Sequence, residues 1–214
     1  GTVTFKVQAS NAPQGEATVQ VTIGENVYDV ALDATGAGTL TVAHGNAEDV
    51  YLDGSSLTAT ITGVTGGKYE AVDFDGASAT ANITDTETPV ELTLTATAGG
   101  TENDVRGVTY TLTLDQALKH DITVNLDGYD TPVTITAGST TASFTIETRA
   151  DDVYTQDDQT VSVAIKEVLG ADDLEKLNFS TEAVSATVTD DTDATTFTIS
   201  TADVSEADGG TVTF

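Results

Sequence analysis

Four aspartates, Asp151, Asp152, Asp157 and Asp158, crowd residues 150–158, which read ADDVYTQDD. Carboxylates held this close repel one another unless a cation joins them, and donors that are all oxygen suit calcium. Residues 47–54 read AEDVYLDG, so Asp49, Val50 and Tyr51 stand as counterparts of Asp152, Val153 and Tyr154. Two further acidic segments also recur. The short loops TENDVRG (101–107) and SEADGG (205–210) align Glu102 with Glu206 and Asp104 with Asp208, and the tails DTET and DDTD occupy 85–88 and 190–193. The acids point to a calcium-dependent repeat protein.

Composition narrows the class of partner. Against 35 acidic side chains stand 7 basic ones, a formal net charge of −28, which argues against nucleic-acid phosphates and anionic membrane surfaces as partners and makes cations the natural counterparts. Cysteine is absent, so disulfides, thiolate metal sites and thiol nucleophiles are excluded. No apolar run approaches the roughly 20 residues that cross a bilayer. The opening GTVTFKV lacks the features of a secretion signal, and the sequence reads as an interior fragment. An enzyme is not expected. His44 and His120 occupy non-equivalent positions with no placed nucleophile and are expected to be exposed, and 6% aromatics is meagre for a sugar cleft.

The elements that must position these acids are strands. Thr, Val, Ile, Leu and Phe alternate with period 2 over 2–7, 17–23, 38–43, 57–64, 77–84 and 90–97, separated by Gly, Asn and Asp turn chemistry. Only 171–179, ADDLEKLNF, lacks that alternation and reads as a short helical turn or irregular connector. The order then repeats with a period of about 105 residues, the size of one immunoglobulin-like sandwich. Phe5, Tyr110 and Phe214 mark it, as do Phe74 and Phe179. The expected fold is all-β, with tandem immunoglobulin-like β-sandwiches arranged end to end. Residues 1–89 form a repeat lacking its first strand, 90–194 a complete repeat, and 195–214 the first strand of a third.

An early Glu in an E-x-D loop, a central Asp-Asp-x-aromatic stretch and a terminal acidic tail resemble the Calx-β sandwich. The tandem, Cys-free, Thr- and Asp-rich form also resembles the immunoglobulin-like extender repeats of giant bacterial RTX and biofilm adhesins secreted by type I systems. The resemblance covers essentially the whole chain. It implies calcium at one end of each sandwich, held in the second repeat by Glu102, Asp151, Asp152, Asp157, Asp190, Asp191 and Asp193, with Asp104 beside them. The first repeat retains Glu48, Asp49, Asp53, Asp85 and Glu87. Its early Glu has no counterpart in 1–89, so fewer or weaker ions are expected there unless a neighbour's Glu206 and Asp208 enter its site. The implied role is an extracellular stalk at a bacterial cell surface, stiffened by calcium and by contact with neighbouring repeats, and projecting an adhesive tip. The alternative is a domain whose calcium-fixed loops capture a carbohydrate or protein.

Against these stands the plainer reading that a high Asp count is a solvated surface, which fits Asp73, Asp75, Glu167 and Asp172. Asp127 reads as a hairpin residue, and Tyr51 and Tyr154 as aromatics packed beside the acids. A sandwich short of one strand exposes an unpaired edge. Residues 196–214 of one molecule are therefore expected to complete the first sandwich of another, head to tail.

Overall fold

The computed structural model describes residues 1–203, 205 and 206; Asp208 and the rest of 207–214 lie outside the described residues. The fold is all-β and divides into two compact units. Unit 1 comprises Gly1–Val90 and Asp173–Leu177, and unit 2 comprises Glu91–Asp172 and the described residues from Asn178 onward.

Unit 1 contains β1 (Thr2–Gln8), β2 (Ala17–Ile23), β3 (Asn26–Ala31), β4 (Ala37–Ala43), β5 (Ser55–Gly66) and β6 (Ser78–Ile83). They form two sheets, β1-β4 and β3-β2-β5-β6. Side chains of both sheets, including Phe5, Val19, Val21, Val30, Val42 and Ala59, make the core between them. The period-2 pattern explains this. Successive residues point to opposite faces, so every second residue of β2, each of them apolar, is buried while its threonines face outward. Outward threonines meet across strands, as Thr4 meets Thr41 at 2.9 Å and Thr58 meets Thr80 at 2.7 Å, which accounts for the Thr-rich composition. Gly24, at φ +59°, supplies the left-handed position that the two-residue turn between β2 and β3 requires.

Unit 2 contains β7 (Val90–Ala96), β8 (Gly100–Thr101), β9 (Gly107–Leu114), β10 (Ile122–Asp127), β11 (Val133–Ile135), β12 (Thr141–Glu147), β13 (Gln159–Leu169), β14 (Leu177–Phe179) and β15 (Val184–Thr189). Its sheets run β12-β9-β7-β14 and β11-β10-β13-β15-β8. The strand order repeats that of unit 1 down to its irregularities. The register of β2 on β5 shifts between Gln20 and Val21, and that of β10 on β13 between Asn125 and Leu126, the equivalent place. Residues 171–179 form a connector that ends in β14.

Three strands of unit 2, β7, β8 and β14, have no counterpart in unit 1 among the described residues. The consequence shows in burial. Strand β9, flanked by β12 and β7, buries Val108, Tyr110, Leu112 and Leu114. Strand β1, flanked among the described residues by β4 alone, buries Phe5 but leaves Val3 and Val7 half-exposed.

Tyr110 ties the two sheets of unit 2 together. Its ring is fully buried against Phe144, with centroids 5.4 Å apart, and its hydroxyl lies 3.0 Å from the carbonyl of Val161 on β13 and 3.3 Å from that of Val184. Burial pushes the phenol above its ordinary pKa, so it remains a donor. Tyr110→Phe is expected to cost about 1 kcal/mol, the net contribution of one hydrogen bond. Tyr110→Ala is expected to cost roughly 3–5 kcal/mol through the cavity it leaves. Urea midpoints of the two variants check both figures.

Candidate metal centre

The unit 2 site begins with a strand pairing. Strand β8 runs parallel to the end of β15, with Gly100 opposite Val188 and Thr101 opposite Thr189, and the Glu102 amide donates to the Thr189 carbonyl at 3.0 Å. That pairing sets Glu102 beside the tail that leaves β15. The loop between β12 and β13 brings Asp151 to the same place. One carboxylate oxygen from each of Glu102, Asp151 and Asp191 then lies within 4.8 Å of the others.

Glu102 is fully buried, and of its two oxygens Oε2 accepts from Nε of Arg149 while Oε1 has no partner. Asp151 and Asp191 each also present a buried oxygen without a partner. Each of the three converging carboxylates thus keeps one buried oxygen without a hydrogen-bond partner. Orphaned oxygens of this kind are costly unless a donor or cation meets them, and a cluster of hard oxygen donors fits a metal ion. Burial, with Asp193, Asp151 and Asp190 nearby, raises the Asp191 carboxyl above its ordinary pKa. Neighbouring charge of the same sign is the stress that a cation relieves.

The other predicted acids take different places. Asp152 turns away from the cluster; its Oδ1 accepts from the Tyr154 amide at 2.7 Å and its Oδ2 from the Gln156 side chain, which shapes the loop. Asp190 accepts from the Gln156 amide at 3.0 Å and lies 4.0 Å from Nη2 of Arg149. Asp157 has an exposed side chain and enters the site through its backbone carbonyl, which accepts from Nη1 of Arg149. Asp193 and Glu206 are exposed. Asp104 is exposed and accepts from the Thr101 hydroxyl at 3.2 Å. Tyr154, expected to pack beside the acids, is 73% exposed, because the turn capped by Asp152 directs it outward. The histidines, expected to be exposed, are both half-buried, and a ring nitrogen of His120 lies 2.7 Å from the Gly170 carbonyl.

Unit 1 reproduces the loop. Asp49 accepts from the Tyr51 amide at 2.8 Å as Asp152 does from Tyr154, and the Asp53 amide donates to Asp85 at 3.1 Å as Gln156 does to Asp190. Asn46 stands where Arg149 stands, its side chain donating to the Asp53 carbonyl. In place of a counterpart to Glu102, Glu175 lies near Asp85 and Glu48. Within unit 1, residues Asp173–Leu177 clasp the loop: Leu174 is buried and bridges Tyr51, the Leu52 amide donates to the Asp173 carbonyl and the Glu175 amide to that of Val50, each at 2.9 Å. Glu175 Oε2 accepts from the Thr88 amide while its Oε1 is buried without a partner. The Thr88 amide pulls this carboxyl down, but burial and the nearby Asp85 and Glu48 outweigh it and hold the group above its ordinary pKa. Glu48 accepts from the Thr88 hydroxyl at 2.8 Å, and exposed Glu87 pairs with Lys176 at 2.8 Å.

Two residues central to this geometry, Arg149 and Glu175, are missed by reading the acids alone. Arg149 carries a signal in retrospect, as one of only 7 basic residues placed two positions before Asp151. Glu175 carries none, since it lies far in sequence from the loop it joins.

No curated protein matches the chain. A solved structure described as "Structural insight into host cell surface retention of a 1.5-MDa bacterial ice-binding adhesin" is similar at 15% identity and a TM-score of 0.28. That match covers 91% of this chain and 59% of the other, so this chain spans less than two thirds of its length. The sequence profile of the LapA domain matches residues 1–86 and 88–192. With those two segments spanning most of its length, the chain belongs to the LapA domain family.

Proposed function

We propose that this chain is a calcium-binding extender module of a large secreted bacterial surface adhesin. The observation that carries the reading is the convergence of the carboxylates of Glu102, Asp151 and Asp191, each of which keeps a buried oxygen without a partner. All three donors are oxygen, which suits calcium rather than a softer metal. Calcium takes six to eight oxygens, so the neighbouring tail acids Asp190 and Asp193 would offer further oxygen donors beside these three. In unit 1, Glu48, Asp85 and Glu175 play the corresponding part.

When bound, the ion supplies positive charge and fixed coordination. The residues of the chain do the rest. Glu102 anchors β8 to β15, Asp152 holds the loop turn, and the tail acids bring the end of the unit to the ion. Metal affinity is thereby coupled to folding. A net charge of −28 keeps the chain loosened where calcium is scarce, and it sets outside the cell, where modules of this type bind at about 10⁻⁴–10⁻³ M. Residues 1–89 and 90–194 act as consecutive repeats of a stalk, with 195–214 opening the next. Acids that recur in each repeat suit this structural role better than a single catalytic centre.

Small-angle scattering of the chain with calcium and with EDTA tests the reading. Calcium is expected to narrow the distribution of sizes and fix the maximum dimension. Curves that superimpose in the two conditions would reject calcium stiffening.

A further inference from the structure

We propose that Arg149 is a built-in cation that sets how tightly unit 2 takes calcium, a role that rests on the calcium reading of the same site. It holds the site together when the ion is absent and lowers the affinity of the site when the ion arrives.

The guanidinium reaches all three acidic segments that an ion in unit 2 would join. Its Nε donates to Oε2 of Glu102 in the early loop, and its Nη1 donates to the Asp157 carbonyl in the central loop. Its Nη2 lies 4.0 Å from Oδ1 of Asp190 in the tail and is buried without a hydrogen-bond partner. The residue is also fixed at its base, where the Arg149 amide donates at 2.9 Å to the side chain of Gln159, the first residue of β13. Glu102 is fully buried and Arg149 nearly so, and water screens such a pair weakly. One positive group thus joins the segments that calcium would join.

Unit 1 separates the charge from the hydrogen bond. Asn46 occupies the corresponding position, donates to a loop carbonyl, that of Asp53, and accepts at 2.9 Å from the hydroxyl of Ser55, the first residue of β5. The bond to the loop is common to both units, and what Arg149 adds is a positive charge. Two effects of opposite sign follow. Without calcium, the guanidinium offsets the repulsion among Glu102, Asp151 and Asp191. With calcium, the same charge repels the ion, and two cations placed on one carboxylate weaken binding by about tenfold even when screened as in water. Calcium sites of other proteins are graded in affinity by this kind of charge count and by rigidity.

Hydrogen exchange of the full chain, read by mass spectrometry across a calcium titration, follows each unit by its own peptide. The reporters are the Gln156 amide, bonded to Asp190, and the Asp53 amide, bonded to Asp85. In EDTA, Arg149→Asn is expected to lose protection around Gln156. In the same variant the calcium midpoint at Gln156 is expected to fall by about tenfold, the weight of the missing charge. Arg149→Lys, which keeps the charge, is expected to keep the higher midpoint. A side chain that merely propped the loop would move that midpoint upward on removal, so the direction separates the two roles. Asn46→Arg carries the charge into unit 1 and is expected to raise the Asp53 midpoint by about tenfold while leaving Gln156 unchanged. This second variant decides the matter even where Arg149→Asn leaves unit 2 unfolded in EDTA. A Gln156 midpoint that stays or rises in folded Arg149→Asn, or an Asp53 midpoint unmoved by Asn46→Arg, would overturn the proposal and leave calcium binding standing. Wild-type exchange indifferent to calcium in both units would instead reject the calcium reading, and the role of Arg149 with it.

Discussion

Removing calcium from the loaded chain with EDTA is expected to lower its melting temperature by on the order of 10 °C. An ion present at about 100 times its dissociation constant stabilises the folded state by about 2.7 kcal/mol, and each kcal/mol moves the midpoint of a unit of roughly 100 residues by several degrees. Glu102 is where this effect concentrates, since among the described residues it is the one fully buried acid and one of its oxygens is unpartnered. Glu102→Gln keeps the shape and a donor-acceptor head but removes the charge. In that variant the unit 2 share of the calcium-dependent shift is expected to vanish, while the share from unit 1, carried by Glu175, persists. Calorimetry of wild type and variant, each with calcium and with EDTA, provides the four values required. Equal calcium shifts in the two proteins would show that Glu102 does not hold the ion.

The second large effect concerns Arg149. Its guanidinium donates to Glu102 and to the Asp157 carbonyl, with side-chain exposures of 16% for Arg149 and 0% for Glu102. Replacing it by methionine leaves a buried carboxylate facing other acids without its counter-charge. Breaking a buried pair from one side costs about 3–5 kcal/mol, largely the penalty of the charge left behind. Arg149→Met is therefore expected to unfold at markedly lower urea in EDTA. Calcium should recover much of the loss, because it supplies the missing positive charge to the same carboxylate. The double variant Arg149→Met with Glu102→Gln is expected to be more stable in EDTA than Arg149→Met alone. Additive losses in that cycle would mean the two side chains do not act as a pair.

Arg149 also shows where sequence reading stops. The acids at 151 and 152 are adjacent and chemically identical, and nothing in their spacing ranks them. The folded loop separates them. Asp151 turns inward to Glu102 and Asp191, whereas Asp152 caps the turn at Tyr154. A turn reverses the chain within a few residues, so neighbouring side chains diverge, and which one faces the cluster follows from backbone torsions rather than residue type.

The sequence by itself determined the all-β class and most strands, because period-2 alternation and turn chemistry are local properties that burial then follows; β3, and β14 at the end of the 171–179 connector, were not read from it. It also determined that the acids gather in three recurrent segments. The tertiary structure decided which acids meet. Glu102 reaches Asp191 only because β8 pairs with β15 across the whole unit, and Glu175 reaches Glu48 and Asp85 only because Leu174 is buried against the loop that holds Tyr51. Contacts between residues so far apart in the chain are set by sheet pairing and packing, and no spacing within a repeat encodes them.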